Sequence, residues 1–198
     1  MKKIFVPIML AIVLAVSSQG CFTRDAKYVE YIKTLVSAYQ LEVTRMVDFE
    51  NQPFKGLEKT VGFYEGHKNN LRQIQNKLTI APKAKAAKWK EFHNEFDGLL
   101  GRAVTSGDMT SGAMTSALNK MKNPNGSKPA TAKKGSKDKR AAAAYLANKW
   151  ETQAFGARGE LIQANAKVIP YVTTELKIVL PDIGENKLLS PLKKCFKQ

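Results

Sequence analysis

From Asp25 onward, apolar residues recur at alternating steps of three and four, the spacing that lays them along one stripe of a helix. Val29, Ile32, Val36, Tyr39, Val43 and Met46 make the first stripe. Thr23 or Asp25 is placed to cap this helix by accepting bonds from its free backbone N–H groups, and Asn51, Gln52 and Pro53 end it. A second helix is expected over residues 53 to about 78, because proline suits a first turn. Its stripe is Leu57, Val61, Tyr64, Leu71, Ile74 and Leu78, with His67 filling the gap. Gly56, Gly62 and Gly66 each weaken it by about 1 kcal/mol relative to Ala, unless a close helix crossing uses the missing side chain.

The link at residues 79–82 opens a third helix, in which Trp89, Phe92, Phe96, Leu99 and Ala103 keep the same spacing. Residues 105–107 are expected to break it, leaving Met109, Met114, Leu118 and Met121 on a shorter, weaker helix. Residues 123–138 are rich in Pro, Gly, Ser, Thr and Lys and hold no apolar residue larger than Ala, so they bury too little surface to offset the entropy of ordering. A long helix follows from about residue 139, striped by Leu146, Trp150, Ala154, Ala157, Leu161, Ala164 and Val168. Pro170 removes a donor and clashes with the preceding turn, which predicts a kink or break; Val172, Leu176 and Val179 continue the period until Pro181. Leu188, Leu189, Leu192 and Phe196 beside Lys193, Lys194 and Lys197 suggest a last amphipathic turn. No segment alternates as a strand would. The economical architecture is all-α: an antiparallel bundle of four or five amphipathic helices with a flexible basic loop at about 123–138.

Before the helical period begins, Lys2 and Lys3 precede an apolar run from Ile4 to Val16, then Ser17, Ser18, Gln19, Gly20 and Cys21. At 13 residues that run is shorter than the ~20 a spanning helix needs, and the layout is that of a secretory signal peptide. Residues 1–20 are therefore expected to be removed, leaving one domain over 21–198. Gly20-Cys21 directly after the apolar segment resembles the lipobox of bacterial lipoproteins, although Ser18 and Gln19 stand where that family prefers Leu and a small residue. The resemblance covers the first 21 residues alone and implies a diacylglyceryl group on the Cys21 sulfur with cleavage just before it. Phe22, rather than Asp, after the cysteine implies the periplasmic face of the outer membrane in a diderm host.

Ordinary cleavage after Ser18 or Gly20 is the alternative, and it would leave a soluble periplasmic or secreted protein. Cys21 and Cys195, the two cysteines of the chain, would then meet an oxidising compartment and can pair. A disulfide joining the two ends would stabilise the fold by about 5 kcal/mol in the chain-entropy model.

Charge narrows the partners. The 198-residue chain carries +15, and +13 remains without Lys2 and Lys3. Residues 122–140 hold seven basic residues and one acid. Lys128, Lys133, Lys134, Lys137, Lys139 and Arg140 are candidates for binding anionic lipid headgroups or an anionic polysaccharide. No aromatic residue interleaves with them, so base stacking lacks a platform, and export argues against nucleic acid.

Chemistry finds little support. Glu65 lies two residues before His67 and Glu95 two after His93, which puts each pair on different helix faces, unlike the Glu-x-x-His of bundle metal sites. Nucleophile elbows, Cys-x-x-Cys pairs and phosphate-cradling glycine loops are missing from the sequence. Gly156-Ala157-Arg158-Gly159 sits inside a helical period. The expectation is a non-catalytic protein with no metal or cofactor. It would be exported and held to the membrane by lipid, and it would bind another envelope protein, as small helical lipoproteins of that class do.

Overall fold

A computed structural model describes residues 5–53, 55–122 and 136–183; for residues 5–23, 120–122, 136–148 and 150 it describes the backbone alone. The described chain is an all-α bundle of four helices: α1 Phe5–Asn51, α2 Leu57–Thr79, α3 Ala87–Lys122 and α4 Ser136–Tyr171. One π-helical turn, Val172–Leu176, extends α4, and among the described residues there is no strand.

The helices run antiparallel in sequence order. Tyr31, near the exposed start of the α1 packing face, donates its hydroxyl to the carbonyl of Lys77 at the end of α2 (2.9 Å). Phe92, in the second turn of α3, lies 5.7 Å from Tyr171 at the end of α4. The apolar stripes meet in one core, in which Tyr28, Ile32, Val36, Tyr39, Val43 and Met46 of α1 face Tyr64, Leu71, Ile74 and Leu78 of α2 and the aromatic row of α3. Trp89, Phe92 and Phe96 continue one another along α3, with centroids 6.0 and 5.6 Å apart. A smaller cluster, Leu57, Ala113, Met114 and Ala117, carries the contact of α2 with the second half of α3.

Several expected boundaries move. Helix α1 does not begin at a cap on Thr23 or Asp25, because its backbone is helical from Phe5. Asp25 instead serves another helix: its carboxylate accepts the backbone N–H of Lys85 (2.7 Å) and Ala86 (3.2 Å), immediately before α3. Those N–H groups precede the first turn of α3 and have no intrahelical acceptor.

Helix α2 starts at Leu57, four residues after Pro53, because Gly56 has φ 100°, a backbone shape that L side chains rarely adopt.

The expected break at residues 105–107 is absent. Thr105 and Thr110 return their hydroxyls to the carbonyls of Gly101 (2.9 Å) and Ser106 (2.8 Å), so these weak helix formers satisfy themselves within the helix. Gly107 sits where a Cβ would come within 3.1 Å of Lys68 Cβ, which makes it a close-approach point between α2 and α3 rather than a breaker.

Helix α4 starts at Ser136, so residues 136–138 of the expected loop are helical; residues 123–135 and the tail at 188–198 lie outside the described residues. Pro170 does not stop α4, which runs one residue further before its last turn widens into the π form. Lys177 then adopts φ 56° and reverses the phase. As a result Ile178 is buried, while Val179, expected on the stripe, is 72% exposed.

Candidate functional site

Two regions gather polar side chains, one inside the bundle and one at its end. The inner region arises because α1 places Glu42 and Glu50 on the same stripe as Met46, at steps of four. Glu50 is bound by Arg158 of α4 through two parallel bonds, Nη1 to Oε1 and Nη2 to Oε2, both 2.9 Å. Tyr64 donates to Glu50 Oε1 at 2.6 Å, and Arg158 Nη2 also donates to the carbonyl of Ile183 at 3.0 Å. Arg158 is 2% exposed, so the charge is fully desolvated and needs every one of these partners. Burial pushes the Tyr64 phenol well above its ordinary range, the Glu50 charge adds to that, and Arg158 opposes it. The arrangement fastens α1, α2, α4 and the segment after α4 at one point.

About two turns back along α1, Glu42 Oε1 accepts bonds from Arg45 (2.6 Å) and Asn70 (3.0 Å), and His67 Nδ1 lies 3.3 Å from Oε2. Burial alone would raise the Glu42 carboxyl. The hydrogen bonds and charges of His67 and Arg45 outweigh it and hold the group below its ordinary range. Glu65 turns to Lys68 (3.5 Å) instead of His67. Among the described residues no three His, Cys, Asp or Glu side chains stand close enough to hold a metal ion.

The second region lies at the end of the bundle where the α1 packing face begins, α2 ends and α3 starts. Residues 77–90 contain five lysines and no acid. Here a cleft of about 300 Å³ opens between Tyr28 of α1, the α2–α3 link and the first turns of α3. Thr79, Lys83, Lys90, His93 and Asn94 supply its polar lining. Tyr28 closes the floor, its hydroxyl 3.3 Å from the Trp89 carbonyl and its ring 6.0 Å from that of His93. Its phenol is raised by burial and stays neutral. Lys83 and Lys90 are exposed and form no ion pair among the described residues. Such a cleft offers cationic and amide donors to an anion.

The residues singled out in the sequence fall mostly elsewhere. Lys128, Lys133, Lys134 and Cys195 lie outside the described residues. Lys137, Lys139 and Arg140 belong to the first turns of α4, and Cys21 to α1, each by backbone alone. His67 is a buried partner of Glu42, and His93 half-lines the cleft. Glu42, Glu50 and the lysines at 77–90 were not singled out in the sequence, and Arg158 only as part of Gly156-Ala157-Arg158-Gly159 inside a helical period. A usable signal existed: Glu50 extends the step from Met46, and Arg158 falls between Ala154 and Leu161, so each is a charge on an apolar stripe. Compared with family models, with curated proteins and with solved structures, the chain matches none.

Proposed function

We propose that this chain is an exported, lipid-anchored helical bundle of the bacterial envelope that acts by binding and not by turnover. It is anchored through Cys21, and its body engages another envelope protein. The observation that carries this reading is the position of the core relative to the leader. Tyr28 is the first buried residue among those whose side chains are described, seven positions after Cys21, so cleavage before Cys21 leaves every described buried residue in the mature chain. Among the residues whose side chains are described, no helix is long and apolar enough to cross a membrane, and this body would depend on its lipid for attachment. Two or three acyl chains hold far more firmly than the marginal grip of one.

Changing Cys21→Ser and fractionating the cells tests the anchor. After a high-salt wash the variant is expected in the soluble fraction while the parent stays with membranes; a variant that stays with the parent removes the anchor. Thiol labelling of the mature protein without reductant separates the alternative of a Cys21–Cys195 disulfide, because a lipidated Cys21 leaves Cys195 reactive.

A further inference from the structure

We propose that the end of the bundle nearest Cys21 is a membrane-docking surface that binds anionic phospholipid headgroups, with a headgroup phosphate taken into the cleft beside Lys83 and Lys90. The geometry rests on the anchor reading above, whereas the chemistry rests on the surface itself.

Seven basic residues collect at this end: Arg24 and Lys27 on α1, Lys77 on α2, Lys83 and Lys85 in the link, and Lys88 and Lys90 on α3. The acids around them are mostly engaged. Asp25 is held by the backbone N–H groups of Lys85 and Ala86, Glu175 by Lys88 at 3.1 Å, and Glu91 by the Tyr171 hydroxyl. Glu30 remains. Lys77, Lys83 and Lys90 have no acidic partner among the described residues, and the seven basic residues outnumber Asp25, Glu30, Glu91 and Glu175, so the face keeps a net positive field. At its rim Ile80 is 76% exposed, an apolar side chain at the tip of the α2–α3 link, able to enter the interface between headgroups and acyl chains.

The chain length supplies the remaining argument. Cys21 precedes Asp25 by four residues, about 6 Å as helix and no more than ~14 Å fully extended. Asp25 touches the link directly. An acyl group on Cys21 therefore holds this lysine face within about a Debye length or two of the headgroups, where each lysine adds to the attraction.

The test uses the chain from Phe22 onward, which keeps every buried residue described and carries no lipid. It is sedimented with vesicles of phosphatidylglycerol mixed with phosphatidylcholine, and with vesicles of phosphatidylcholine alone. Binding is expected to the mixed vesicles only, and high salt should release it. Replacing Lys77, Lys83 and Lys90 together by Gln is expected to lower the partition coefficient roughly hundredfold, about fivefold per lysine, with the helical circular dichroism signal unchanged. Replacing Lys128, Lys133 and Lys134 by Gln is the matched control and should change it far less. No binding to the anionic vesicles, or an equal loss from the control, overturns the proposal. The anchor is decided separately by the fate of Cys21→Ser, so either reading can fail without the other.

Discussion

Where α1 gives way to α2, the bundle turns its charges inward; where α2 gives way to α3, it leaves them in solvent. At the first end Glu50, Arg158 and Tyr64 form a closed set with the Ile183 carbonyl, each group meeting a partner within 3.0 Å. At the second, Lys77, Lys83 and Lys90 stand exposed beside a cleft. The two ends illustrate opposite uses of charge. Desolvated ions fix geometry, because removing either member leaves the other unpaired in a low-dielectric interior. Exposed ions contribute little to the fold and stay available to an external anion.

The sharpest way to break this comparison is Arg158→Met. It is expected to destabilise the fold by about 3–5 kcal/mol in denaturant titration, because the Glu50 carboxylate is left buried without its cation. Adding Glu50→Leu should recover much of that loss, and a strictly additive double variant would contradict the closed set described above.

Glu42 provides a smaller, pH-dependent version. Its carboxyl titrates below the ordinary range in the fold and within that range in the unfolded chain, so its contribution is fully present above the ordinary carboxylate pKa. That contribution drains away as pH falls toward and through the folded value. Glu42→Gln is expected to cost about 2 kcal/mol at neutral pH through weakened charge-assisted bonds and to flatten the acid side of the stability profile, measured by urea unfolding at a series of pH values.

Between the two ends, the Tyr39 hydroxyl is buried with no hydrogen-bond partner among the described residues, its ring edge-on to Phe96 at 5.9 Å. Tyr39→Phe removes a desolvated polar group and keeps the ring, so a gain of about 1 kcal/mol is expected in the same assay. The smallest change belongs to the exposed end: the triple lysine-to-glutamine variant should shift stability by less than ~0.5 kcal/mol. A large loss there would mean that these lysines hold the fold together, and the contrast between the ends would collapse.

The helices and their buried faces were legible because periodicity reports a local property. Every stripe residue proposed for the first half of α3, from Trp89 to Ala103, is buried, as are Leu57, Tyr64, Leu71, Ile74 and Leu78 in α2. Boundaries were less legible where tertiary contacts overrode local signals. Gly107 reads as a breaker until Lys68 is seen against it. Asp25 reads as the cap of its own helix until its acceptors are found bonded 60 residues away. Candidate sites were least legible, since a charge on an apolar stripe has meaning only when its partner is known.

What the sequence determined by itself was the all-α class, the stripes that become the core, and a strong positive charge, because each depends on residue type and spacing along one chain. Only the tertiary structure decided which charges would be neutralised. Glu50 and Arg158 are 108 positions apart and meet because the fold lets the long Arg158 side chain reach from α4 across to α1. The lysines at 77–90 stay exposed because the link they belong to crosses the end of the bundle, where no further helix among the described residues covers it. Pairing is a property of distance in space, and a linear pattern carries that distance only within a helical turn or two.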